Sequence, residues 1–288
     1  MNHIKKLAGC LSFTAMLSVP GTDLFAARNL LISDIDDTIK ISGINSMNTA
    51  GHAFGTDNEF AGMSILYNGC AAVFAAAGKT EYLTAAPGEL DEIGIDFLRM
   101  SGFPPQRGDI KDSIVSGRDP MTEGPGEFKA RELIRIYERE KPELMILVGD
   151  NGEQDIYAYG ELMKHVEGQN GAARVYSFIH HVYKPGANGL EIPAGHVPFL
   201  TSADLAVQFA NHGWLDEAAL TRILGEIEYD SGNRELAKQV VPEFMECATF
   251  KAWPKLNQKI LAQTPDASAI SGIYEQVKAN VNDLCRNK

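Results

Sequence analysis

The chain is short of positive charge. Its 288 residues carry 26 lysines and arginines against 38 aspartates and glutamates, a net charge of −12. A nucleic-acid partner would call for a basic face, so this balance argues against one. It argues equally against strong adhesion to anionic membranes. Cysteine is scarce, at positions 10, 70, 247 and 285, and no cysteine or histidine spacing is of the metal-binding kind. There is no repeat and no low-complexity segment. Beyond residue 27 no stable membrane span is expected. What remains, 44% hydrophobic and 22% charged, is an ordinary globular composition, long enough for one large domain or a domain with an appendage.

Residues 1–27 read as a secretory signal. Lys5 and Lys6 form a basic start, residues 7–19 an apolar stretch too short to span a bilayer, and Ala26 and Ala27 a small-residue cut. Its removal takes two bases and one acid, leaving the rest more acidic still. The expected location is periplasmic or secreted. In an oxidising compartment Cys247 and Cys285 could pair, whereas Cys70 reads as a buried small hydrophobe.

The most informative stretch is Leu30-Leu31-Ile32-Ser33-Asp34-Ile35-Asp36-Asp37-Thr38, an apolar run that ends in three acids and a hydroxyl. Such a run suits a central parallel strand covered on both faces. Acids at its carboxyl end sit where open α/β sheets bind ligands. Asp34 and Asp36, two residues apart, project to one side of an extended backbone. Mg²⁺, which prefers oxygen ligands, relieves their mutual repulsion. A carboxylate held there could attack phosphorus while a second acid handles the proton. A purely structural acidic turn is the plainer alternative.

Three further segments follow in the order that phosphoryl transfer needs. Tyr82-Leu83-Thr84-Ala85-Ala86-Pro87-Gly88 reads as a strand, a turn and a helix start, where Thr84 and backbone N–H groups could hold phosphate oxygens. Lys129 lies on an amphipathic helix and could neutralise transition-state charge. Residues 144–155 form a second apolar run ending in Gly149-Asp150, with Asp155 further on. Asp150 is the natural partner to the first acids on a metal, and Asp155 an alternate ligand or a support behind it.

Together Asp34-x-Asp36-x-Thr38, Thr84, Lys129 and Gly149-Asp150-x-x-x-x-Asp155 resemble the four motifs of haloacid-dehalogenase-type phosphatases. The wording at 33–40, 82–87, 102–104 and 147–155 is similar to the catalytic domain of actin-patch-associated phosphatidate phosphatases and their bacterial relatives. The resemblance covers about residues 28–185. It implies Asp34 as nucleophile, Asp36 as general acid/base, Thr38 as support for the first loop, and Thr84 and Lys129 as phosphoryl-binding groups. It also implies that Asp34, the Asp36 backbone carbonyl and Asp150 hold Mg²⁺. Asn151 stands where the family wording would place serine, and Ala86 where it would place a second hydroxyl. Inserts after the first motif act as lids in such phosphatases, so 42–60 is expected to be a short flap.

The expected fold is α/β: a haloacid-dehalogenase-like parallel sheet with helices on both faces, plus a helical C-terminal extension. Strands are expected near 30–34, 81–84, 109–114, 144–149 and 174–179, and helices near 64–77, 89–100, 127–140 and 153–164. Residues 184–198 read as a Gly/Pro connector. Beyond it only helices are expected, near 205–209, 218–227, 236–244 and 267–284. The expected organisation is a signal at 1–27, a catalytic domain at 28–185 and a helical extension at 198–288. Of His180 and His181, adjacent on a strand, one is expected to face solvent or act as a cap and one to pack on the sheet. The leading function is an exported Mg²⁺-dependent phosphatase acting on a phosphorylated substrate, phosphatidate by resemblance. A phosphatase for small soluble esters and a non-catalytic binder of phosphorylated ligands are the alternatives.

Overall fold

The computed structural model describes residues 29–45, 55, 58–74, 78–105, 109–169, 173–248, 250–258, 260 and 267–288. The expected signal and most of the expected flap lie outside these residues. Six parallel strands are present: β1 (Asn29–Ser33), β2 (Gly78–Leu83), β3 (Ile114–Val115), β4 (Leu144–Asp150), β5 (Arg174–His180) and β6 (Val197–Phe199). Their order in the sheet is β3-β2-β1-β4-β5-β6. The chain therefore reverses direction across the sheet between β1 and β4, the switch point at which open parallel sheets form a crevice. Both acidic motifs end there.

Alternation along the strands sorts the core into two layers. Leu31, Ile146 and Val148 point to one face, and Leu30, Ile32, Met145 and Leu147 to the other. The second face is covered by α3 (Pro125–Glu140) and α4 (Asp155–Gly168). The first is covered by α1 (Met63–Phe74) and α2 (Asp91–Met100). The C-terminal helices α5 (Ser202–Asn211), α6 (Glu217–Gly232), α7 (Ala237–Val240) and α8 (Ala267–Arg286) complete that cover. All seven residues of β4 are buried, which is why this strand reads as a continuous apolar run. Burying each of its large apolar side chains contributes about 1.5–3 kcal/mol.

Several elements differ from expectation, for local reasons. Residues 110–113 form a 3₁₀ turn, because the Asp109 side chain accepts from Lys111 N, and only Ile114–Val115 is strand. The connector contains β6, whose Pro198 is tolerated because the strand lies at the sheet edge. The helix expected at 236–244 shrinks to α7, since Pro242 forces Val241 out of the helical region (ψ 84°). Other starts follow the sequence. Pro125 takes the first position of α3, Thr201 and Asp204 make a capping box at α5, and Asp216 caps α6 by accepting from Ala219 N. Cys247 and Cys285 form a disulfide, and Cys70 is free and buried.

Candidate active site

The site begins where β1 stops. Asp34 N still donates to Val148 O (2.9 Å), so the residue is held in line with the sheet. The chain then turns tightly, with Ile39 N and Lys40 N both donating to Ile35 O. Asp37 takes a left-handed backbone (φ 55°), a conformation that Asp tolerates better than most residues. Its carboxylate accepts from Ser42 N, Gly43 N and Ile44 N and from the Tyr183 hydroxyl, which anchors the loop. Burial pushes its carboxyl up to about 6 despite those donors. Asp34 is thereby presented to the crevice with both oxygens engaged: Thr38 Oγ1 donates to one (3.0 Å) and Lys129 Nζ to the other (2.7 Å).

The second tip is built from β4. Asp150 Oδ1 accepts from the N–H groups of Gly152 and Glu153, while Oδ2 is buried with no hydrogen-bond partner. Asp155 folds back to accept from Asp150 N (3.1 Å). That approach requires glycine at 149, where a Cβ would sit 2.7 Å from the Asp155 side chain and the Tyr159 hydroxyl. Asn151 ties the tip to the strand beyond. Its Oδ1 accepts from Val182 N and Tyr183 N, and its Nδ2 donates to Tyr183 O. Asn151, one of the two departures from the family wording, is thus a structural clamp.

Lys129 projects from α3 into the middle of the acids. Fully buried, its ammonium meets Asp34 at 2.7 Å and Glu153 and Asp155 at 2.8 Å each. Burial alone would lower its pKa. The three carboxylates outweigh that and hold it well above its ordinary value. Asp34, Asp150 and Asp155 are all pushed up, chiefly by burial. Asp34, Asp150, Glu153 and Asp155 bring ligand atoms within 4.8 Å of one another. Four acids with one ammonium, and one carboxylate oxygen without a partner, make a site that fits a hard oxygen-liganded cation.

Asp36 stands apart from that cluster. Its side chain, 20% exposed, accepts from Ser42 Oγ and lies 3.7 Å from Lys40 Nζ. It does not join the four clustered carboxylates, so any part in metal binding falls to its backbone carbonyl. Burial raises its carboxyl against the pull of Lys40 and Ser42, which suits a proton donor. Thr84 directly follows β2; its N–H donates to Val115 O and its hydroxyl accepts from Ala86 N. Asp36, Thr84 and Glu153 line one cavity of about 330 Å³.

Glu153 and Asp37 were not singled out by sequence reasoning. Glu153 lies three residues after Asp150, and that spacing was its signal. Nothing local marks the role of Asp37. Both histidines are buried, so one packs on the sheet as expected and neither faces solvent. His180 is packed between Phe60 and Phe199, with its ring nitrogens at Thr38 O and Leu200 O. His181 is covered by Phe250 from the C-terminal region.

A parallel sheet with paired acids at its switch point, a buried lysine among them and a cavity alongside is the equipment of a phosphoric monoester hydrolase. Residues 29–174 match the family described as phosphatidate phosphatase APP1, catalytic domain, and the chain belongs to that family. No curated protein matches it. Among solved structures it is similar to a class C acid phosphatase from Bacillus anthracis with tungstate bound. The identity is 14% and the TM-score 0.33, covering 68% of this chain and 78% of that one. It is also similar to a UDP-N-acetylglucosamine 2-epimerase from Rickettsia bellii, at 10% identity and TM-score 0.36, covering 74% of this chain and 51% of that one.

Proposed function

We propose that the chain is an exported, Mg²⁺-dependent phosphatidate phosphatase that works through an aspartyl-phosphate on Asp34. The observation that carries the reading is the unpartnered Asp150 oxygen within a four-carboxylate cluster that includes Asp34. Asp34, Asp150 and the Asp36 backbone carbonyl would hold the ion, with Glu153 and Asp155 close behind. Bound there, Mg²⁺ supplies charge neutralisation for the transferring phosphoryl group. The chain's own residues do the rest. Asp34, fixed by Thr38 and Lys129, attacks phosphorus as the ester oxygen leaves. Asp36 gives that oxygen its proton, then takes one from the water that hydrolyses the acyl phosphate. Lys129 and Thr84 hold the non-bridging oxygens.

Lys40 and Arg118 line the crevice and set cations beside its acids. Export is supported by the Cys247–Cys285 disulfide, a bond that persists in oxidising compartments. Phosphate release from phosphatidate tests the reading, with Mg²⁺, with chelator and with Asp34→Asn. Metal-dependent release that the variant abolishes is expected. Release from soluble esters but not from phosphatidate would remove the lipid assignment.

A further inference from the structure

Beside the acids, the 330 Å³ cavity has a second character. Part of its lining is polar, supplied by Asp36, Thr84, Lys40 and Glu153. Much of the remaining lining is apolar: Ile35 from the first loop, Ile114 from β3, Pro87 and Leu90 from the turn before α2, and Ile93 from α2, with Asp91 among them. Chemistry at Asp34 does not require that apolar lining. Two large apolar side chains at its edge, Ile44 and Leu90, are 41% and 40% exposed, so the apolar surface continues out of the cavity. Arg118 lines the same space. Its Nε and Nη1 donate to Ala85 O and Glu123 O, and its other N–H groups are available to substrate oxygens.

Gly94 lines this space. A Cβ there would meet only the tips of Ile35 (3.5 Å) and Ile114 (3.8 Å), both ordinary contacts. Nothing in the backbone demands glycine, since its φ lies outside the left-handed region. In a helix interior glycine is disfavoured relative to alanine. Its smallness leaves room between two isoleucines in the wall of a cavity that opens on the acid/base residue.

We propose that this cavity is the leaving-group pocket. It takes the glycerol and the first acyl carbons of a fatty-acylated glycerol phosphate, and Gly94 is the residue that sets how much chain is enclosed. The inference rests on the phosphatase reading above and adds where the alcohol half of the substrate goes. At about 30 Å³ per water-sized group, the cavity holds roughly eleven such groups, which is a glycerol and about five further carbons. Longer chains pass out over Ile44 and Leu90. Enclosed methylenes strengthen binding about threefold to fourfold each, and carbons beyond the rim add little.

The test is a chain-length series of monoacylglycerol phosphates from acetyl to decanoyl, compared by kcat/KM in the wild type, Gly94→Ala and Gly94→Leu. The matching non-hydrolysable phosphonates are titrated by calorimetry. The wild type is expected to gain about threefold per methylene up to about five acyl carbons and then to level off. In Gly94→Leu, whose side chain fills the enclosed space, the octanoyl-to-acetyl ratio is expected to fall at least tenfold. Gly94→Ala serves as the folded control, and its ratio should fall less. The same flat ratio in all three proteins, by turnover and by phosphonate binding, would overturn the pocket. If no ester is turned over but the phosphonates keep their chain-length gain, the pocket stands and the phosphatase reading falls.

Discussion

The carboxyl edge of the sheet and the C-terminal helices are both buried, and they use burial in opposite ways. At the edge, Asp34, Lys129, Asp150 and Asp155 are at most 1% exposed, so the interior there is filled with charge. Desolvation raises every one of those carboxyls, and removing Lys129, the one cation among them, would leave uncompensated charge. In the helices, Leu220, Ile223, Leu224 and Ile227 of α6 are fully buried against α1, α5 and α8, and burial there is a stabilising term. The chemistry sits where the fold tolerates strain in its electrostatics, and the helices supply the apolar area that offsets it.

Substitutions can break this comparison, and the largest effect is expected at the edge. Asp34→Asn should lower kcat by about 10³-fold or more while leaving the melting temperature unchanged or raised, because one of four crowded carboxylates loses its charge. A parallel loss of stability, read by calorimetry, would contradict the division. Next comes the disulfide, which closes a sequence separation of 38 residues. Replacing both Cys247 and Cys285 by Ser should cost about 4 kcal/mol in denaturant unfolding. The kcat of the folded fraction should be unchanged. Leu224→Ala, in the wholly buried face of α6, should cost about 3 kcal/mol, again with kcat intact.

The smallest effect concerns His180, which lies between the two regions. Its two carbonyl neighbours would suit an imidazolium, yet burial prevails and lowers its pKa to about 4. The unfolded chain then binds the proton more readily. The contribution of His180 to stability is constant above pH 6.5 and is lost as pH falls from 6.5 towards 4, by at most about 3 kcal/mol. Urea titrations at a series of pH values should show that slope in the wild type and lose it in His180→Phe. An unchanged slope would show that His180 is not its source; the raised carboxyls of the edge act in the opposite sense, adding stability as pH falls.

Local motifs made the edge legible. Asp34 and Asp150 each end an apolar run, so both strand and acid show in a few residues, and the parallel sheet follows from strands alternating with helices. Lys129 carried a weaker signal: nothing within α3 says that this lysine, and not Arg131 or Arg135, turns inward to the acids. Glu153 was overshadowed by Asp150 and Asp155 on either side. Asp37 and Asn151 were opaque because their partners are distant in sequence; the Tyr183 hydroxyl that holds Asp37 lies 146 residues away. β6 was hidden by Pro198, which reads as a breaker unless the strand is known to be an edge. The shortened α7 could have been foreseen from Pro242.

The central claim is that the phosphoryl group passes through Asp34. The most direct measurement is acid quenching of Asp36→Asn during turnover of phosphatidate with Mg²⁺, followed by peptide mass spectrometry. Without an efficient acid/base for hydrolysis, one phosphoryl group per chain should accumulate on the peptide containing Asp34. It should be absent from the Asp34→Asn, Asp36→Asn double variant. Phosphate release by the wild type with no such adduct at any quench time, or an adduct on another residue, would contradict the account.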